Sequence, residues 1–183
     1  NGSDDRGTES ENRSRRVIDA GGKLLMPGLI NLHNHVAMSL MRNYADDLPL
    51  MEWLADRVWP FEAKLTGDDV YLGARLGIAE MLLGGTTTFV DMYWHSDRVA
   101  DAVTETGIRG VVCPTFVGAS YDAFEPEALR MAEKYASGGH DRVQIMLASA
   151  CASRRTLPIR ARRNPFARLC PYVKNTAWAF MSI

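Results

Sequence analysis

Residues 66–116 read TGDDVYLGARLGIAEMLLGGTTTFVDMYWHSDRVADAVTETGIRGVVCPTF, and this stretch decides the fold. Thr66 followed by Asp69 is a helix start with an acid in its first turn. Leu72, Leu76, Ala79 and Leu83 then recur at helical spacing, and Gly84-Gly85 ends the helix. Thr86 to Tyr93 is β-branched and aromatic, which predicts a strand. A second helix follows, with Val99, Ala102 and Val103 on one face and Gly107 as its stop. Ile108 to Phe116 is the next strand.

The same alternation continues outward. Pro126 suits the first turn of a third helix whose inner face is Leu129, Ala132, Tyr135 and Ala136. Ser137-Gly138-Gly139 closes it, and Val143 to Leu147 is a fourth strand. Upstream, Leu29 to His35 reads as a strand behind the Pro27-Gly28 break. Val17 to Met26 reads as two short strands about a Gly21-Gly22 turn. Residues 36–65 form a long connection with a helical turn at Leu50–Ala55; Trp53, Trp59 and Phe61 mark it as a lid or binding loop. Asn1 to Arg16 is a polar, solvated start. Strand and helix in strict alternation imply parallel strands joined by right-handed crossovers. A doubly wound sheet and a (β/α)8 barrel both fit. No GxGxxG or Walker loop follows any strand, so the usual nucleotide-binding reasons for the doubly wound form are absent.

The chain has 183 residues, 46% of them apolar, enough for one packed core. Its net charge of -1 hides an asymmetry: residues 1–150 sum to -8, and residues 151–183, with no acid, sum to +7. The acidic body argues against nucleic-acid binding. Cys113, Cys151 and Cys170 form no CxxC and no even framework, which fits a reducing compartment. No apolar run is long enough to span a bilayer and the N-terminus is no signal peptide, so a cytoplasmic, membrane-free protein is expected.

His33 and His35 carry the chemistry. Side chains two apart on a strand share a face. At the C-terminal end of a parallel strand, two imidazoles can grip one divalent ion. Zinc suits them first; iron or another imidazole-favouring transition metal is the alternative. With four histidines in the chain, chance can also give this spacing, and the spacing alone leaves both readings open.

Met26-Pro27-Gly28-Leu29-Ile30-Asn31-Leu32-His33-Asn34-His35 resembles the first-strand signature of the amidohydrolase superfamily. Ala37 to Arg42, Asp46 to Leu50, Glu52-Trp53-Leu54, Trp59-Pro60-Phe61-Glu62, Glu80-Met81 and Gly85 to Tyr93 resemble its branch of 5-methylthioadenosine/S-adenosylhomocysteine deaminases and related chlorohydrolases. The resemblance covers roughly residues 17–150. It implies an α/β fold: a partial (β/α)8 TIM barrel, about the first four strands, with a remnant of an N-terminal β-sandwich. The segments would be a mobile start and sandwich remnant (1–26), the first half of the barrel (27–150) and a basic tail foreign to the fold (151–183). His33 and His35 would be metal ligands. Glu62 would hold the nucleoside, and Trp53 and Trp59 would wall its pocket. The implied activity is metal-dependent hydrolytic deamination of an adenosine-like nucleoside. A triazine-type chlorohydrolase, a guanine-type deaminase, or a non-catalytic fragment that only packs or self-associates are the alternatives. Asp91 is expected to orient other groups or to be structural rather than catalytic, His95 to be a surface residue at a helix start ahead of a pocket residue, and His140 a solvated loop residue.

The family pattern also needs a further His, an Asp and catalytic groups from later strands. Past His95 the chain offers only His140, and no acid beyond Asp141. The family's His-Ala-Pro-Tyr-like stretch after the fourth strand is replaced by Ser149-Ala150-Cys151-Ala152-Ser153-Arg154-Arg155. An out-of-frame ending from about residue 150, low activity and self-association are the resulting expectations.

Overall fold

The computed structural model describes residues 18–117, 121–136, 140–146 and 148–150. The basic segment 151–183 and the start through Val17 lie outside them. Five strands make one parallel sheet: β1 (Leu29–Asn34), β2 (Thr86–Tyr93), β3 (Arg109–Val117), β4 (Val143–Ile145) and β5 (Ala148–Ala150). The order β1-β2-β3-β4 follows the sequence, and β5 pairs with the far end of β3. The expected fourth strand, Val143 to Leu147, is shorter, Val143–Ile145, and pairs with Gly110–Val112, while β5 is a further short strand that pairs with Thr115–Val117.

Three helices cover one face: α1 (Gly67–Leu83), α2 (Ser96–Thr106) and α3 (Tyr121–Ala136). A capping box opens α1. The Thr66 N–H donates to Asp69 Oδ2 at 2.8 Å, and the Asp69 N–H donates to Thr66 Oγ1 at 3.3 Å. Gly107 ends α2 with φ +76, a left-handed turn that costs glycine little. Val99, Ala102 and Val103 are fully buried, as their spacing predicts. On α3, Ala132 and Tyr135 are buried with Ala128 and Met131, while Leu129 is only half-buried. Pro126 lies inside α3 rather than at its first turn, so the helix forgoes one i→i−4 bond there.

Two expectations change. The buried face of α1 is Val70, Gly73, Ala74, Gly77 and Ile78. The leucine stripe faces out: Leu72 is 56% exposed, Leu76 44% and Leu83 90%. The glycines are the reason. A Cβ on Gly73 would sit 2.6 Å from the Ala37 carbonyl oxygen, and one on Gly77 would sit 2.6 Å from Ser39 Oγ. Their bare backbone lets the 3-10 helix Val36–Met41 lie directly on α1. Residues 18–28 carry the Gly21-Gly22 turn, closed by the Lys23 N–H on the Ala20 carbonyl at 2.7 Å, but no strand. Leu24 and Leu25 are 86% and 93% exposed. A two-stranded ribbon with no face to pack on is not stable in water.

The connection 36–65 is largely helical. Residues 50–62 run as one helix with a π-helical middle, Trp53–Val58. Its last residue, Glu62, reaches Trp94 just after β2.

Gly73→Ala is expected to lower stability by about 1–3 kcal/mol, because backbone atoms must move and the gain in helix propensity is only about 1 kcal/mol. Denaturant unfolding followed by circular dichroism reads it as a lower midpoint.

Candidate functional site

The site grows from a register shift. Asn31 pairs with Phe89 and Asn34 with Asp91, so β1 holds one residue more than β2 between those points. The Asn31 side chain supports this bulge by accepting the His33 N–H at 3.2 Å. Asn31 and Asn34 therefore meet the same atom of the helix layer, Met81 Sδ, at 3.9 and 3.5 Å. His33 and His35 are brought together instead, with ring centroids 5.1 Å apart and planes at 82°. His33 is exposed and His35 half-buried.

His35 is held by its ring. Its Nδ1 lies 2.6 Å from the Met92 carbonyl oxygen. A carbonyl can only accept, so Nδ1 carries a proton, and in the neutral ring Nε2 is then the nitrogen with the free lone pair. This is the second contact that fixes tautomer and ring angle in metal-binding histidines. The donor set therefore fits a divalent ion of the zinc type, as a partial set. Among the described residues no group of three or more His, Cys, Asp or Glu could hold a metal.

The end of β2 supplies the surroundings. Tyr93 is buried, its ring 6.4 Å from that of His35 and its hydroxyl 4.0 Å from Met41 Sδ. Burial first, then the nearby Glu62 carboxylate, pushes its pKa upward, so it stays a neutral phenol. Glu62 is half-buried and accepts the Trp94 indole N–H at 2.9 Å. The structure thus brings Glu62 to the same strand end as the histidine pair. Trp53 is half-buried and Trp59 is 40% exposed, both on the helical segment that ends in Glu62. His95 is exposed at the start of α2, with left-handed backbone at φ 48. His140 is exposed and packs its ring 4.7 Å from Tyr135.

Asp91, which the sequence makes a structural or orienting residue, lies in the core beside this site. Its carboxylate is fully buried; Oδ1 accepts the Val36 N–H at 2.6 Å, and Oδ2 has no partner among the described residues. Burial pushes its pKa up to about 7, partly offset by the Val36 bond. An acid midway along an apolar strand was the available signal. On the opposite face of the sheet, Cys113 packs with Met92, and burial followed by the Asp91 charge pushes its thiol up to about 12. It is a packed thiol rather than a nucleophile.

With this geometry in place, the comparisons identify the class. The amidohydrolase family profile matches residues 24–155, and the chain belongs to the amidohydrolase family. It is 56% identical over 103 residues to a 5-methylthioadenosine/S-adenosylhomocysteine deaminase of Symbiobacterium thermophilum, a match covering 56% of this chain and 24% of that protein. It is 45% identical over 144 residues to the enzyme of the same name in Dictyoglomus thermophilum, covering 76% and 33%. Among solved structures, a zinc-bound adenosine deaminase from Xanthomonas campestris superposes with TM-score 0.63 at 36% identity, covering 68% of this chain and 30% of that one. The chain spans a third or less of the length of these relatives, and its sheet is a partial (β/α)8 barrel.

Asp91 yields a signed pH dependence. Its folded pKa lies above the unfolded value of about 3.9, so the unfolded chain releases the proton first. Stability is then lost as pH rises from about 4 to about 7, and the loss is complete above the folded value. Relative to Asp91→Asn, the wild type is expected to lose up to roughly 1.4 kcal/mol per pH unit across that window. Parallel unfolding curves of the two proteins check it.

Proposed function

We propose that this chain is a metal-binding portion, carrying the first barrel strands, of a hydrolytic deaminase acting on adenosine-like nucleosides of the 5-methylthioadenosine/S-adenosylhomocysteine type. The observation that carries the reading is the histidine pair, two rings at 5.1 Å with the inner one locked by Met92 so that its Nε2 is free. His33 and His35 hold the metal, with zinc the best match to the imidazole donors. When bound, the metal supplies Lewis-acid activation of water for displacement at an aromatic carbon. The protein's own residues do the positioning. Glu62, anchored by Trp94, presents its second carboxylate oxygen to a ribose-type hydroxyl, and Trp53 and Trp59 give apolar walls for the nucleoside. Tyr93, kept neutral, packs its buried ring beside His35.

No helix of the described residues is long and apolar enough to cross a membrane. The three cysteines, which form no CxxC and no even framework, favour a cytoplasmic setting. Among the described residues β1 pairs with β2 alone, and Leu29, Ile30 and Leu32 on it are 54%, 62% and 71% exposed. That apolar edge supports self-association of the isolated chain.

A chimera tests the function directly. Residues 24–150 replace the matching segment of the Symbiobacterium enzyme, and ammonia release from 5-methylthioadenosine and S-adenosylhomocysteine is measured. Zinc-dependent turnover is expected, abolished by His33→Ala or His35→Ala; a folded, zinc-loaded chimera without turnover refutes the reading. In the same chimera Glu62→Gln is expected to raise KM about 10- to 100-fold, since a hydrogen bond to a charged group is worth roughly 1.5–3 kcal/mol.

A further inference from the structure

Asp91 sits fully buried on the same face of β2 as Phe89 and Tyr93. A carboxylate with one unpartnered oxygen is an expensive way to fill that space, and an apolar residue of similar size would cost less. What the carboxylate does is accept the Val36 N–H at 2.6 Å. Val36 opens a 3-10 helix, where a backbone N–H has no partner inside the helix. It also directly follows His35, at the point where the chain leaves the strand with His35 at φ -127 and ψ 72. The next residue of β2, Met92, takes the His35 ring through its carbonyl. Two consecutive residues of one strand thus grip His35, Met92 by the ring and Asp91 by the peptide that follows it. Asn34, the residue before His35, is in register with Asp91 itself.

We propose that Asp91 is a positioning residue: through the Val36 N–H it fixes the backbone of His35, so that the ring meets Met92 and turns Nε2 toward the position shared with His33. The proposal rests on the reading of His35 as a metal ligand for its consequence, but not for its geometry. Met92 holds only the ring; the peptide after His35 is held on its carbonyl side by the Met38 N–H at 2.9 Å and on its N–H side by Asp91 alone. Oδ2, without a partner among the described residues, fits this account, since one oxygen suffices for the hold.

The test uses the full chain and two readouts. The first is the His35 tautomer, read from long-range proton–nitrogen NMR correlations of the imidazole without metal. The second is zinc affinity by competition with a chromophoric chelator. In the wild type, His35 is expected as a single Nδ1–H tautomer. In Asp91→Ala the tautomers mix and zinc affinity falls about 10- to 100-fold, the range for loss of an outer contact to a metal ligand. Asp91→Asn, whose Oδ1 still accepts from Val36, restores both. Val103→Ala, a core truncation away from the site, lowers stability and leaves both readouts in place. The proposal is overturned if Asp91→Ala keeps the tautomer and the affinity, or if Val103→Ala changes them equally. Should the Asp91 variants not fold, hydrogen exchange at Val36 in the wild type decides: protection before zinc is added supports the hold, and protection only after zinc overturns it. If the wild type binds no zinc, the metal reading fails by itself, and the tautomer comparison still decides the role of Asp91.

Discussion

The site depends on one hand-over between neighbouring strands. At the end of β1 the backbone changes from extended to 3-10 geometry, and a buried N–H is left without a partner in its own segment. β2 meets that need with the Asp91 carboxylate and takes the adjacent imidazole with the Met92 carbonyl. Both histidines and Tyr93 lie close to that contact along the chain. His33 is placed against His35 by the bulge just before it, and Tyr93 follows immediately on β2.

Packing on the other side of the turn keeps the hand-over in place. Val36 and Ala37 are buried against α1, and the contact is close because α1 offers Gly73 and Gly77 where a side chain would collide. Glycine inside a helix weakens it by about 1 kcal/mol relative to alanine. Here that cost secures the position of the segment that carries His35. The capping box at Thr66 and Asp69 and the buried Val70, Ala74 and Ile78 hold the helix against this loss. Stability and site geometry are therefore coupled through one face of one helix.

Much of the architecture was legible because its punctuation is local. Thr66 and Asp69, Gly84-Gly85 and Gly107 mark helix ends by side-chain capping and by backbone freedom, and the strands between them are β-branched and apolar. The helix face of α1 was misread because glycine adds nothing to an apolar pattern, whereas close approach is what glycine supplies. The strands expected within residues 17–26 failed because strand propensity needs a surface to pack on. Pro126 was placed at a helix start because that is where a missing N–H costs least, yet the helix extends five residues before it.

At the site, spacing put the two histidines on one face and left metal binding open, and Glu62 came only from family resemblance. The bulge could not be read at all. Period-two reasoning counts residues along one strand, and the extra residue is visible only against β2. Trp94 as the anchor of Glu62, and Met92 as the acceptor for His35, depend on pairing between distant segments in the same way. The most direct measurement of the central claim is X-ray absorption at the zinc edge of the chain loaded with one equivalent of metal. Two imidazole ligands per zinc, falling to one in His33→Ala, are predicted. A zinc shell with no imidazole, or one unchanged by that substitution, would contradict the account.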